Sequence, residues 1–153
     1  MRRGPIAITA ALALVGCGAS SPRRHPDGAS LPLVAGARVF ARARSCDRGV
    51  NAYCALQVVV IGPRYADARA LLAAEAHHLR ALGWTSTVGD TPQQRSADSP
   101  GHRLRLTYTV AFEDLESWDE GYLARRRQIA RALAATLFAR TPALSMMLVS
   151  GPT

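Results

Sequence analysis

The chain contains no lysine; all nineteen basic side chains are arginines. Absence of lysine beside abundant alanine is a mark of codon usage, so the arginine count argues only weakly for an anion-binding role. The sequence also holds no GxSxG, no P-loop, no GxGxxG and no HExxH. The nucleophile elbow, the phosphate cradle, the dinucleotide fingerprint and the zinc-protease helix are therefore all missing, and no catalytic residue, cofactor or metal is assigned. Long apolar runs are missing too. The stretch IAITAALALV, residues 6–15, is ten residues long, about half of what a bilayer-spanning helix needs. Cysteine is scarce and odd in number, with only Cys17, Cys46 and Cys54.

What is present suits a single folded domain. A chain of 153 residues, 48% hydrophobic and 20% charged, can bury one sizeable core and is too apolar for wholesale disorder. The formal charge is +8. Basic residues Arg2 and Arg3, the apolar run that follows and the glycine–cysteine pair at 16–17 have the layout of an export signal.

Residues 14–17 read LVGC. Placed after a basic start and a short apolar run, they resemble the lipobox of bacterial lipoproteins. That resemblance implies cleavage before Cys17, a diacylglyceryl thioether on its sulfur, and a mature protein held on the membrane by acyl chains. Loss of Arg2 and Arg3 lowers the charge by two, from +8 to +6, an excess that still favours anionic surfaces. The expected organisation is a signal peptide over residues 1–16, the lipidated Cys17 and a flexible Ser/Pro/Gly-rich tether to residue 36, and one domain over 37–153. The expected location is the extracytoplasmic face of the cell membrane. The body, notably CALQVVVIGPRYADARALLAAEAHHLRALGW and SPGHRLRLTYTVAF, resembles small lipoproteins and secreted proteins of high-GC Gram-positive bacteria, a likeness that transfers no functional residues.

An exported chain meets an oxidising compartment, where Cys46 and Cys54 are expected to pair across the turn residues Asp47, Gly49 and Asn51. The segment 37–44 then reads as a strand leading into that turn. ALQVVVIG, residues 55–62, is apolar on both faces and reads as a central strand. Ala68, Leu72, Ala76, Leu79 and Leu82 recur at helical spacing, and Gly83–Trp84 reads as the stop. Residues 84–88 read as a short strand and the polar stretch 89–101 as a loop. Leu104, Leu106, Tyr108, Val110 and Phe112 alternate with polar neighbours, as in a half-buried strand. A second helix is expected to start at the acidic cluster Glu113–Glu120, with Trp118, Tyr122, Ile129, Leu133 and Leu137 inward and Arg140 near its end, followed by the strand ALSMMLVSG. The succession predicts an α+β fold: a mainly antiparallel sheet with two helices on one face, ferredoxin-like in order, plus an extra N-terminal strand.

Three groups are candidates for function. Arg103, Arg105, Thr107 and Thr109 share the polar side of one strand and form the candidate binding surface. Arg125, Arg126 and Arg127 are the densest basic cluster and the candidate membrane-facing residues, although consecutive positions fan out around a helix and acidic neighbours can pair with them. His77, His78 and Glu75 suggest an alternative, an envelope enzyme or metal binder, but adjacent histidines point about 100° apart and no further ligand stands at a recognisable spacing. Nucleic acid is disfavoured, because RLRLTYTVAF lacks the exposed aromatics on which RNA-recognition sheets stack bases. The expectation is a membrane-anchored, non-enzymatic module whose partner is an envelope protein or a small ligand.

Overall fold

All eight residues of one strand, CALQVVVI, are buried, which requires neighbours on both edges and a layer on each face. The computed structural model, which describes residues 27, 31–46, 54–87, 89–112 and 126–150, supplies them. In chain order the elements are β1 (Arg38–Cys46), β2 (Cys54–Ile61), α1 (Ala68–Ala81), β3 (Thr85–Ser86), β4 (Gln94–Asp98), a 3-10 turn at Pro100–His102, β5 (Leu104–Val110), α2 (Arg127–Phe138) and β6 (Ala143–Ser150). The strands form one sheet ordered β1-β2-β6-β5-β4-β3, and every neighbouring pair is antiparallel. The expected class, α+β with an antiparallel sheet and two helices, is therefore the class of this fold.

The arrangement departs from the expected one in two respects. Residues 94–98, read as part of a loop, form a strand paired with β5 from Gln94–Thr109 to Asp98–Arg105. That extra strand reverses β5, while β6 keeps its antiparallel place beside β2. β5 and β6 become adjacent antiparallel neighbours joined through α2, where a split βαβ unit would make its two strands parallel. The second departure is that the helices cover opposite faces. Leu56, Val58 and Val60 of β2 pack in one cluster with Leu71, Leu72, Ala76 and Leu79 of α1. Val59 and Ile61 pack in another with Ile129, Ala132 and Leu133 of α2. Alternation along β2 sends successive side chains to opposite sides, so a strand apolar on both sides needs one helix for each.

The local chemistry at the ends of α1 is clear. Asp67 is the N-cap, its Oδ1 accepting from the Ala70 N–H at 2.7 Å, which satisfies one of the helix's orphan donors. At the other end Gly83 has φ of 81°. Its N–H donates to the Arg80 carbonyl and that of Trp84 donates to the Leu79 carbonyl, the paired Schellman bonds that a left-handed residue allows. Trp84 folds back into the core as expected. The buried stripe differs from the expected one by rotation: Leu71 and Glu75 are inside, while Leu82 is 46% exposed. Phe112 is 49% exposed because the chain leaves the strand after Val110 and turns helical at residues 111–112.

The Cys46–Cys54 disulfide is present and joins the terminal residue pair of the β1–β2 register. Residues 31–36, expected to belong to the tether, pack instead against the domain. Leu31 is buried and belongs to the α1-side core, with Leu33 and Val34 against it. An apolar Leu-x-Leu-Val segment gains more from covering the sheet than from solvation. Residues 1–26, with Cys17, and residues 47–53 and 113–125, with Trp118, Tyr122 and Arg125, lie outside the described residues. Among the described residues no helix is long and apolar enough to cross a membrane.

Candidate functional site

The strand pair β4–β5 presents a row of polar side chains on the sheet face opposite α1. Asp98 stands directly across from Arg105 and Ser96 across from Thr107. Arg105 Nε donates to Asp98 Oδ1 at 2.8 Å and Nη2 donates to Oδ2 at 3.1 Å, the bidentate fork that fixes an arginine most strongly. Those hydrogen bonds from Arg105 hold the Asp98 carboxyl below its usual range, and the carboxylate in turn raises the guanidinium's own pKa. His102 Nδ1 lies 3.6 Å from the same carboxylate. The hydroxyls of Ser96 and Thr107 share a hydrogen bond of 3.2 Å. Thr109 is buried. Three of the four candidate residues, Arg105, Thr107 and Thr109, are thus brought onto one face, but Arg105 and Thr107 are engaged by β4. Arg103 precedes the strand and is exposed. Asp98 is the residue that sequence reasoning missed, because the strand carrying it was read as loop.

Further along the same face, Gln57 is buried within an apolar strand. Its Nε2 donates to Ser145 Oγ at 3.3 Å and its Oε1 accepts from Arg126 Nη1 at 2.8 Å. The arginine cluster is therefore divided: Arg126 turns inward to Gln57, whereas Arg127, the first residue of α2, is exposed. The inward turn of Arg126 follows from Gln57, whose buried amide oxygen needs a donor.

The histidines and Glu75 do not converge. Glu75 is fully buried among the core side chains of α1, while His77 is exposed and His78 partly so. Glu75 Oε2 accepts from the Val34 N–H at 2.9 Å, and its other oxygen has no partner. Burial raises its pKa to about 7, against the smaller opposing effect of the Val34 hydrogen bond. Tyr108, under the same helix, is pushed to about 12, first by burial. Among the described residues no group of three histidine, cysteine or acidic side chains is placed to hold a metal. Glu75 instead fastens the segment before β1, helped by Tyr65, whose hydroxyl donates to the Ala35 carbonyl at 2.9 Å.

At the outer edge of the sheet a depression of about 460 Å³ is lined by Asp27, Arg42, Ala43, Arg44, Leu56 and Gln128. Gln128 of α2 donates from Nε2 to the Arg42 carbonyl at 2.7 Å, so the helix partly covers the edge of β1. Together these features define an antiparallel α+β domain whose hairpin is closed by a disulfide and whose polar face is largely paired with itself. Comparison with protein-family models, curated proteins and solved structures finds no match for the chain.

Proposed function

We propose that this protein is a lipid-anchored, non-enzymatic binding or interaction module on the extracytoplasmic face of the cell membrane. The observation that carries the reading is LVGC at residues 14–17, set after Arg2, Arg3 and a ten-residue apolar run. The disulfide supports it in two ways. It suits an oxidising compartment, and by pairing Cys46 with Cys54 it leaves Cys17 as the remaining thiol. Two or more acyl chains on that sulfur and its amine would hold the protein stably, since each buried CH₂ contributes about 0.8 kcal/mol. The partner class is an envelope protein or a small ligand. An envelope enzyme or metal binder built on His77, His78 and Glu75 draws no support from an inward-facing Glu75 already bonded to Val34.

Replacing Cys17 with Ser tests the anchor. The expected result is loss of acyl label and either release from the membrane fraction or accumulation of the uncleaved precursor. Unchanged acylation and fractionation in the variant would overturn the assignment.

A further inference from the structure

The edge strand β1 and the flank of α2 beside it form a surface that the anchored-module reading does not yet use. β1 has a pattern of exposed residues, with Arg38, Phe40, Arg42 and Arg44 all open to solvent. The register fixes how α2 lies along it. Gln128, near the start of the helix, bonds to Arg42. The helix ends at Phe138, shortly before Ala143, which pairs with Ile61, the partner of Arg38. The helix therefore runs from the Arg42 end of β1 toward its Arg38 end. Gln128, Arg131, Ala135 and Phe138 are all exposed, at the 3-4-3 spacing that puts them on one stripe. Since Gln128 touches the strand edge, the stripe follows that edge.

The register divides the cations of β1: Arg38 stands opposite Ile61 on the α2 side, whereas Arg42 and Arg44 stand opposite Val58 and Leu56 on the α1 side, so the band beside α2 holds Arg38 and Arg131 with apolar groups between them. Phe40 is 46% exposed and Phe138 is 91% exposed, which is unusual for side chains with so much apolar area to hide. Among the described residues no carboxylate pairs with Arg38 or Arg131. Asp27 is the acidic side chain that lines the depression at Arg42. Guanidinium groups flanking exposed phenylalanines match the headgroup layer of a bilayer, where phosphates meet the arginines and the rings enter the acyl boundary.

The chain between anchor and domain points the same way. Leu31 is pinned in the core only fourteen residues after Cys17. Even fully extended, a segment of that length spans no more than about 50 Å. After Leu31 the chain passes Val34, held by Glu75, and enters β1 at Arg38. The edge strand is thus the element next to the point where the anchored segment joins the domain.

We infer that the β1 edge and the adjoining flank of α2, through Arg38, Phe40, Arg131 and Phe138, dock the domain onto anionic phospholipid headgroups of the membrane that holds its anchor. The inference rests on the lipoprotein reading. The acylated full-length protein is placed in vesicles of phosphatidylcholine alone or with about 30 mol% phosphatidylglycerol. It is then labelled with phenylglyoxal, and each arginine is quantified by mass spectrometry. In anionic vesicles Arg38 and Arg131 should be labelled about fivefold more slowly. Arg69 and Arg80, exposed on the helix of the opposite layer, should be labelled equally in both, and about 0.5 M salt should abolish the difference. Equal labelling of all arginines, or protection confined to Arg69 and Arg80, overturns the docking face while leaving the anchor intact. Protection of the same arginines by inorganic phosphate without vesicles assigns the face to a soluble anion and overturns the membrane assignment. A Cys17 peptide without diacylglyceryl mass overturns the anchor and this inference with it.

Discussion

Burial raises the pKa of Glu75 from 4.5 to about 7, so between those values the folded chain keeps a proton that the unfolded chain releases. Stability must fall as pH rises through that window, by about 3 kcal/mol across its width. Urea unfolding at pH 5 and pH 8 should therefore differ by about that amount. In Glu75→Gln, which keeps an oxygen for the Val34 N–H, the difference should largely vanish; the same pH slope in both proteins would show that Glu75 does not titrate in the folded state. Asp98 acts with the opposite sign. Its carboxyl is held low by Arg105, so its contribution is present above the ordinary carboxylate pKa and is lost as pH falls. The combined contribution of the two groups peaks at about pH 4 to 5. The burial of Glu75 was partly legible, since Leu71, Glu75 and Leu79 follow one another at intervals of four. Reading the stripe through Ala68, Leu72 and Leu82 turned the helix slightly and left the carboxylate outside. Its bond to Val34 had no sequence signal, because the donor is backbone forty-one residues away.

The two helices end alike and with different residues. At α1 the left-handed position is Gly83; at α2 it is Arg140, with φ of 48°. The same pair of bonds is made there, from Arg140 to Leu137 and from Thr141 to Thr136. A side chain in that conformation costs about 1 kcal/mol that glycine avoids. Arg140→Gly should therefore stabilise the protein by about 0.5 to 1 kcal/mol, read as a higher denaturation midpoint with an unchanged slope. A lower midpoint would mean that the arginine side chain contributes more than its backbone conformation costs. At this scale β2, β5, β6 and α1 were legible from periodicity alone. QRSAD was not, since it is polar, short and flanked by turn residues. It becomes a strand because β5 offers it a complete edge and Asp98 faces Arg105. The placement of α2 on the second face could have been read from β2, whose apolar residues fall on both sides.

The boundary of the domain is a property of the whole molecule, because Leu31 joins a core drawn from α1 and five other segments. A residue of a free tether could be truncated without effect. Leu31 is 7% exposed, and Leu31→Ala should cost about 2 kcal/mol or more in unfolding free energy. A variant as stable as the parent would return residues 31–36 to the tether. The apolar Leu-x-Leu-Val at residues 31–34 was a local signal of this boundary, but the sheet that it covers is built from residues far along the chain.

The strand at the centre of the sheet carries a consequence for the order of events. β6 lies between β2 and β5, pairing Met146 with Val58 and with Tyr108, yet among the described residues it is the last strand in chain order. A polypeptide emerging from its N-terminus first presents the β1–β2 hairpin, and later β3, β4 and β5, as two ribbons with no shared edge. Neither ribbon can close a core without the strand that follows both. The core therefore closes only when residues 143–150 pair between the two ribbons.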